Sequence, residues 1–300
     1  MKPILFALEA HPLSTVLCAK LGAVVGLHSY RRFPDGESYL RIETPVAGQH
    51  CLVLANLSHP DEKFLPLAFL TATLRELGAA SVGLIAPYLS YMRQDRRFVD
   101  GEAVTSRIFA KQISQMVDWL VTVDPHLHRY HSLDEIYSIP TRVVHATPML
   151  AAWLSTQTNA VLIGPDAESE QWVSAIAAQS GHPFAVGNKQ RHGDRDVVVS
   201  LPDLTKYVGH TAIIIDDVIS SGQTLLRCVQ ALKSQQFRQI ECIAVHGLFA
   251  DAIDQLLMAQ GVRRLITTNS IPHSSNALDL SDLLQAPIEA SLALLKKPKD

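Results

Sequence analysis

The chain is poor in cysteine. It has four in 300 residues, Cys18, Cys51, Cys228 and Cys242. None forms a CxxC pair, so zinc ribbons and thioredoxin-type redox sites have no support. Secreted disulfide scaffolds are denser in cysteine than this. All four lie in apolar runs, where they read as small buried hydrophobes in a reducing cytoplasm. Surplus charge is missing too: 26 Lys and Arg face 29 Asp and Glu, a net charge of −3. That balance disfavours a protein held to nucleic acid by bulk positive charge. No apolar run approaches the length of a membrane helix. The opening MKPILFALEAHPLST has an apolar stretch too short for a secretory leader, and Glu9-Ala10-His11-Pro12 breaks it. The expectation is a cytoplasmic chain with no nucleic-acid or membrane partner. There is no GxxxxGK[ST] loop, no GxSxG elbow, and no GxGxxG with a distal acid. Low-complexity segments and short repeats are also absent.

Short apolar runs alternating with helical periods are present. A hydrophobic share of 47% allows a sizeable core, and 300 residues is room for two α/β domains. Strands are expected at Ile4–Leu8, His50–Leu57, Val82–Tyr88, Trp119–Val123, Ala160–Gly164, Thr211–Val218, Ile240–Leu248 and Arg264–Thr268. Amphipathic stretches fall between them, at Asp61–Leu77, Val104–Met116, Gln223–Ser234 and Asp251–Ala259. Continuous apolar strands flanked by helices predict mostly parallel sheets covered on both faces. The alternation occurs twice, so the fold class is α/β with two similar domains, at 1–146 and 147–300. A helix is expected to start at Thr147-Pro148, with Thr147 as cap and Pro148 at the first position. The last helical stretch, Pro287–Leu295, is placed to pack back onto the first domain.

In open α/β sheets, ligands bind beyond the carboxyl ends of the strands. There the segment IIIDDVISSGQTL ends an apolar strand in Asp216 and Asp217, then runs through Ser220, Ser221, Gly222, Gln223 and Thr224 into a helix. Small hydroxyl residues and the N–H groups of an incoming helix suit a phosphate. Two acids just before them suit sugar hydroxyls or a divalent metal. The plainer reading is a strand-to-helix turn with Ser221 as N-cap. Phe33, Asp35 and Glu37 surround Pro34-Gly36, where a hairpin turn is the plain alternative to an aromatic and acceptor site for a base. Arg93, Gln94, Asp95, Arg96 and Arg97 follow a strand end, and arginine forks match phosphate oxygens. His126 and Asp166 each follow a strand; the imidazole can bind Mg²⁺ or a nucleotide phosphate, and the carboxylate suits a hard cation. His128 and His131 read as structural. Lys189 and Arg191 lie in a polar stretch that composition alone assigns to a hairpin tip.

The Asp216–Thr224 segment resembles the phosphoribosyl pyrophosphate (PRPP) motif shared by type I phosphoribosyltransferases and ribose-phosphate pyrophosphokinases. Four further segments resemble the pyrophosphokinases alone, in order: RRFPDGESYLRI (Arg31–Ile42), YMRQDRRF (Tyr91–Phe98), TVDPHLH (Thr122–His128) and LIGPD (Leu162–Asp166). The stretch RRFVDGEAVTSR looks more like the archaeal-type members. The resemblance implies two type I phosphoribosyltransferase-like domains and a homo-oligomer whose ATP site lies near a subunit interface. It implies ATP contacts by Phe33, Asp35, Glu37, Arg93, Gln94 and His126, and Mg²⁺ ligation by His126 and Asp166. It implies ribose 5-phosphate binding by Asp216, Asp217, Ser220, Ser221, Gly222, Gln223 and Thr224, and catalysis by Lys189 and Arg191. The implied activity is transfer of the diphosphoryl group of ATP to ribose 5-phosphate. The alternatives are a non-catalytic or specialised paralogue and, further off, a phosphoribosyltransferase. The chain departs from the family where Ala167-Glu168-Ser169-Glu170 replaces small residues that line pyrophosphate, and where Gln223 replaces a small residue before Thr224. Acids beside a polyanion repel it unless a cation intervenes.

Overall fold

The computed structural model describes residues 2–191 and 197–295, apart from the side chains of residues 189–191, 197 and 198. The chain divides into two compact units. One comprises Met1–Val144, Ser270–Pro272 and Asp279–Asp300; the other comprises His145–Asn269 and His273–Leu278.

The first unit begins β1 (Ile4–Ala7), α1 (Leu13–Leu21), β2 (Val24–Val25), then a hairpin of β3 (His28–Arg32) and β4 (Ser38–Ile42). It continues β5 (His50–Leu54), α2 (Pro60–Glu76), β6 (Ser81–Ala86), α3 (Thr105–Met116), β7 (Trp119–Val123) and β8 (Thr141–Val144). Its sheet runs β2-β1-β5-β6-β7-β8, and every pairing in it is parallel.

The second unit holds α4 (Thr147–Leu154), β9 (Ala160–Gly164), α5 (Glu170–Ser180), β10 (Phe184–Val186) and a hairpin of β11 (Asn188–Arg191) and β12 (Val197–Ser200). Then come β13 (Thr211–Ile219), α6 (Gln223–Ser234), β14 (Ile240–Gly247), α7 (Ile253–Ala259), β15 (Val262–Thr268) and β16 (Asn276–Leu278). Its sheet runs β10-β9-β13-β14-β15-β16, again all parallel. The last helix, α8 (Ser281–Leu294), belongs to the first unit. There it meets α1 through an ion pair of Lys20 with Asp282, and β8 through a bond from Arg142 Nε to Ser291 Oγ of 3.1 Å.

The two sheets have one topology. In each, the first strand pairs with the second on one side and with the third sheet strand on the other, and an antiparallel hairpin is inserted between those two connections. The order therefore reverses between β1 and β5, and between β9 and β13. A crevice forms at the carboxyl ends of such a pair.

Burial on both faces explains the unbroken apolar strands. Residues of β5, β6, β7 and β9 are buried almost throughout. All eight expected strands are present. The short elements β2, β8, β10 and β16 were not expected, because two to four residues carry too little periodicity to register. The expected cap of α4 is corrected by one residue. Ala146 holds the cap position, Thr147 is already helical, and its hydroxyl accepts a bond from Trp172 Nε1 at 3.0 Å. Among the described residues no helix is long and apolar enough to cross a membrane.

Trp119, the largest fully buried side chain, lies against the bare backbone of Gly83 on the neighbouring strand. A Cβ at Gly83 would come within 2.0 Å of its Cζ2. Gly83→Ala should therefore cost about 1–3 kcal/mol of stability through overpacking, read from the urea unfolding midpoint of the full chain. An unchanged midpoint would contradict this packing.

Candidate active site

In the second unit, β9 and β13 are adjacent and parallel, with Ile163 opposite Ile214. Asp166 follows the end of β9, and Asp216 and Asp217 lie within β13, which runs on to Ile219. Asp166 caps a single 3-10 turn: its Oδ1 accepts from the backbone N–H of Glu168 at 3.2 Å. Its carbonyl accepts from the Ser169 hydroxyl at 2.6 Å. A Cβ at Gly164 would lie 2.6 Å from that same hydroxyl, so only glycine fits beneath the turn.

Asp216 Oδ1 accepts from the backbone N–H of Asp217 at 3.0 Å. Enclosure by protein pushes the Asp216 carboxyl well above the usual carboxylate range, and the charges of Asp217 and Asp166 push it further. Part of the residue still reaches solvent. The charges of Asp217 and Asp166 thus act on Asp216 at the reversal point of this sheet. Hydroxyl donors or a hard cation would relieve that repulsion. Among the described residues, no group of three or more His, Cys, Asp or Glu side chains stands at metal-holding geometry. A magnesium-like ion needs no such cage, because it takes one or two carboxylates and completes its shell with water and substrate phosphate. The donor set fits that mode.

Beyond the tip of β13, Ser220 and Ser221 lead to Gly222, the N-cap of α6. The expected alternative, Ser221 as cap, is corrected: Gly222 holds that position at φ +62°, with no side chain capping the helix. A Cβ there would also strike Ile253 Cγ1 at 2.3 Å. Gln223 and Thr224 open the helix, whose first N–H groups receive no side-chain cap. Such a terminus favours an anion.

One wall of this loop was not visible in the sequence. The β14–α7 connection places Phe249, Asp251 and Ala252 at φ +46°, +55° and +56°. Leu248 and Phe249 donate backbone bonds to Ile219 at 2.9 and 3.1 Å, and Ala250 donates to Ser220 at 3.2 Å. The Phe249 ring lies on His273 (centroids 4.4 Å apart), and His273 Nε2 is 3.6 Å from Asp254. Left-handed backbone at a residue with a Cβ costs about 1–2 kcal/mol. Leu248–Ala252 contains no glycine or asparagine that could have signalled it.

The hairpin expectation for residues 33–37 matches the local geometry. Phe33 donates its N–H to Glu37 at 2.7 Å, and the Asp35 carboxylate accepts from the Glu37 N–H at 3.1 Å. Leu40 and Ile42 anchor the hairpin on the core of the first unit. Phe33, Asp35 and Glu37 are left exposed at its tip. Arg31 lies over the rings of both Phe33 and Tyr39, 4.4 Å from each centroid.

In the loop after β6, the motif residue that turns inward is Asp95. Its side chain is 3% exposed, and both its oxygens take bonds from Arg129 Nη1 (2.7 and 3.0 Å). That anchor leaves Arg93, Arg96 and Arg97 on the surface. Gln94 Oε1 accepts from the Thr105 hydroxyl at 3.1 Å. His126 follows β7 at φ +53° in a tight turn, with its N–H donating to Asp124 O at 2.8 Å. Its ring meets that of His128 edge-on at 4.2 Å.

Asp166, Asp216, Asp217 and the 220–224 loop are therefore gathered in the second unit, while Phe33, Asp35, Glu37, Arg93, Gln94 and His126 lie in the first. Lys189 and Arg191 lie on β11, paired with Val199 and Val197 of β12. Their side chains fall outside the described residues.

Comparison with known proteins follows the same division. Residues 3–116 match the family model for the N-terminal domain of ribose phosphate pyrophosphokinase, and residues 132–275 match that for the phosphoribosyl transferase domain. The ribose-phosphate pyrophosphokinase of Sulfurisphaera tokodaii is 31% identical over 264 residues, 86% of this chain and 89% of that protein. That of Methanothermobacter thermautotrophicus is 30% identical over 263 residues, 87% of this chain and 89% of its own. The crystal structure of phosphoribosylpyrophosphate synthetase from Mycobacterium smegmatis is alike in fold. Its TM-score is 0.83 at 24% identity, over 98% of this chain and all of that one.

Two outcomes follow from this geometry. Asp251→Gly should raise the unfolding free energy by about 0.5–1 kcal/mol in urea, because relief of left-handed strain outweighs the added freedom of the unfolded chain. A loss of stability would show that the loop is not strained. For Asp216, an unfolded carboxyl titrates near 3.9 and the folded one higher. As pH falls from about 7 towards about 4, the folded chain takes up a proton that the unfolded chain does not, which stabilises it. Asp216→Asn should accordingly be more stable than the parent near pH 7, and that advantage should shrink as pH falls. Parallel unfolding curves at the two pH values check the sign.

Proposed function

The chain belongs to the ribose-phosphate pyrophosphokinase family, and from that premise we propose that it transfers the β,γ-diphosphoryl group of ATP to the 1-hydroxyl of ribose 5-phosphate, giving PRPP and AMP. The single observation that carries the reading is the placement of Asp216 and Asp217 on β13 beside Asp166 after β9, next to an uncapped helix terminus. That arrangement suits a hydroxyl-rich, phosphate-bearing sugar. The match of residues 3–116 to the pyrophosphokinase N-terminal domain favours this activity over a phosphoribosyltransferase.

In this mechanism the N–H groups and hydroxyls of Ser220, Ser221, Gly222, Gln223 and Thr224 hold the 5-phosphate. Asp216 and Asp217 accept hydrogen bonds from the ribose hydroxyls and fix the ring. Phe33 offers an aromatic face to the adenine, and Asp35 and Glu37 accept from its exocyclic amine. Arg31 already lies over the Phe33 ring and stiffens it for stacking. Arg93 and Gln94 take the nucleotide phosphates, and the exposed tip at Phe33 suits a site completed by a neighbouring subunit of a homo-oligomer. Bound Mg²⁺ would neutralise charge on the ATP phosphates, with His126 and Asp166 as its residues. The ribose 1-oxygen attacks the β-phosphorus in line, the bond from that phosphorus to the α-phosphate oxygen breaks, and the hydroxyl proton is released. Lys189 and Arg191 neutralise charge that grows on the transferred group, a role typically worth about 10²–10³ in rate per donor. The reaction belongs to nucleotide biosynthesis in the cytoplasm.

Glu168 and Glu170 beside Asp166 are the specific observation that favours a specialised or non-catalytic paralogue. An assay of AMP release with and without ribose 5-phosphate separates the readings. AMP formed only with the sugar supports the synthetase, and no AMP under either condition supports the paralogue. Lys189→Ala should lower turnover by about 10²–10³ and leave ATP affinity nearly unchanged. Undiminished turnover in that variant would remove Lys189 from the mechanism.

A further inference from the structure

A second concave site lies at the other end of the sheet that carries Asp216. It is formed where the turn before β13 meets the turn between α6 and β14, and its volume is about 570 Å³. That is within the usual range for a small-molecule site. Asp216 is five residue steps along β13 from Thr211, next to this cavity, so the two places are on the order of 15–20 Å apart along the strand.

The lining is basic and contains no acid: Lys233, Arg238 and His210 stand around it with amide side chains such as Gln236. Lys233 and Arg238 have no ion-pair partner among the described residues. Lys233 alone has an ordinary explanation, because a cation in the last turn of α6 complements the helix carbonyls there. Arg238 does not. It lies past the helix, beyond the turn in which Gln236 takes φ +68°. The exposed Lys233 side chain passes close to the turn at Gly261, where an added Cβ would lie 3.1 Å from its Nζ. Apolar surface adjoins the cations, with buried Phe237 on one side and Val208, 43% exposed, on the other. A guanidinium fork and an ammonium lining the same hollow beside apolar residues suit a phosphate group attached to a less polar body. The chain as a whole carries −3, so this is local patterning and not general attraction for polyanions.

We propose that this cavity, at the amino-terminal edge of the second sheet, is a binding site for a phosphate-bearing small molecule, with Lys233 and Arg238 as the anion ligands and Phe237 and Val208 as the apolar wall.

The test is isothermal titration of the full chain with inorganic phosphate and, separately, with phenyl phosphate. Phosphate taken up at the loop 220–224 or by Arg93 is common to wild type and variants, so the cavity is read as the difference between their isotherms. The wild-type chain should show a binding equivalent that the Lys233→Glu/Arg238→Glu variant loses by at least about tenfold in affinity. The charge-preserving variant Lys233→Arg/Arg238→Lys should keep it, and circular dichroism should show both variants folded. Phenyl phosphate binding about tenfold tighter than phosphate at this equivalent would assign a ligand that uses the apolar wall; equal affinities would assign the phosphate group alone. Isotherms of the double glutamate variant that match the wild type with both probes overturn the proposal.

Discussion

Carboxyl groups gathered on two neighbouring strands, Asp166 after β9 and Asp216 and Asp217 within β13, are the constraint around which the second unit is organised. Asp216 is forced towards its neutral form by enclosure and by its neighbours. Nothing in the core gains from this, because enclosed carboxylates near one another are costly. The surrounding backbone is fitted to the arrangement. Gly164 leaves room for the turn that Asp166 caps, and Gly222 leaves room for Ile253. The Leu248–Ala252 segment holds the loop by donating to the carbonyls of Ile219 and Ser220. On the function proposed above, binding of a sugar phosphate would repay the cost of maintaining such a site.

The first unit shows what the same topology does without that burden. At its reversal point, Glu9 follows β1 as Asp166 follows β9. The Glu9 carboxylate is answered internally, by Lys63 Nζ and Asn56 Nδ2, each at 2.7 Å. Lys63 also donates to Asn56 O at 2.9 Å. His59, at φ +50°, caps α2 in the left-handed conformation that Gly222 takes before α6. One sheet tip is thus closed by its own ion pair, while the other is left rich in carboxylate. The inserted hairpins occupy equivalent positions as well. One presents Phe33 and the other carries Lys189 and Arg191.

Legibility in the sequence followed burial. Strands covered on both faces are continuous apolar runs, and all of these could be read, as could α2, α3, α6 and α7 between them; α1 and α5 were not. The rule that ligands gather at carboxyl ends directed attention to Asp166 and Asp216, and the strand order makes them neighbours. The duplication was visible only as a repeated alternation, because it resides in strand order and insertion points and not in matched residues. The strained wall at Phe249, Asp251 and Ala252 could not be read, since packing against the loop and His273 imposes it and Asp251 is its one turn-forming residue, with no glycine or asparagine beside it. Asp95 stood in a charged run that composition assigns to solvent, yet its partner Arg129, 34 positions away, draws it inside.

The placement of α8 bears on how the protein is made. The first unit is interrupted at Val144 and receives its final helix only from Ser281–Leu294, after the whole second unit has been translated. At ordinary elongation speeds that delay is on the order of ten seconds. During it, the part of α1 that pairs with α8 waits uncovered on the ribosome while the second unit, contiguous but for a short excursion, can already close. Vectorial synthesis would then finish the later unit before the earlier one, and the nascent first unit would need shielding until its own closing segment emerges.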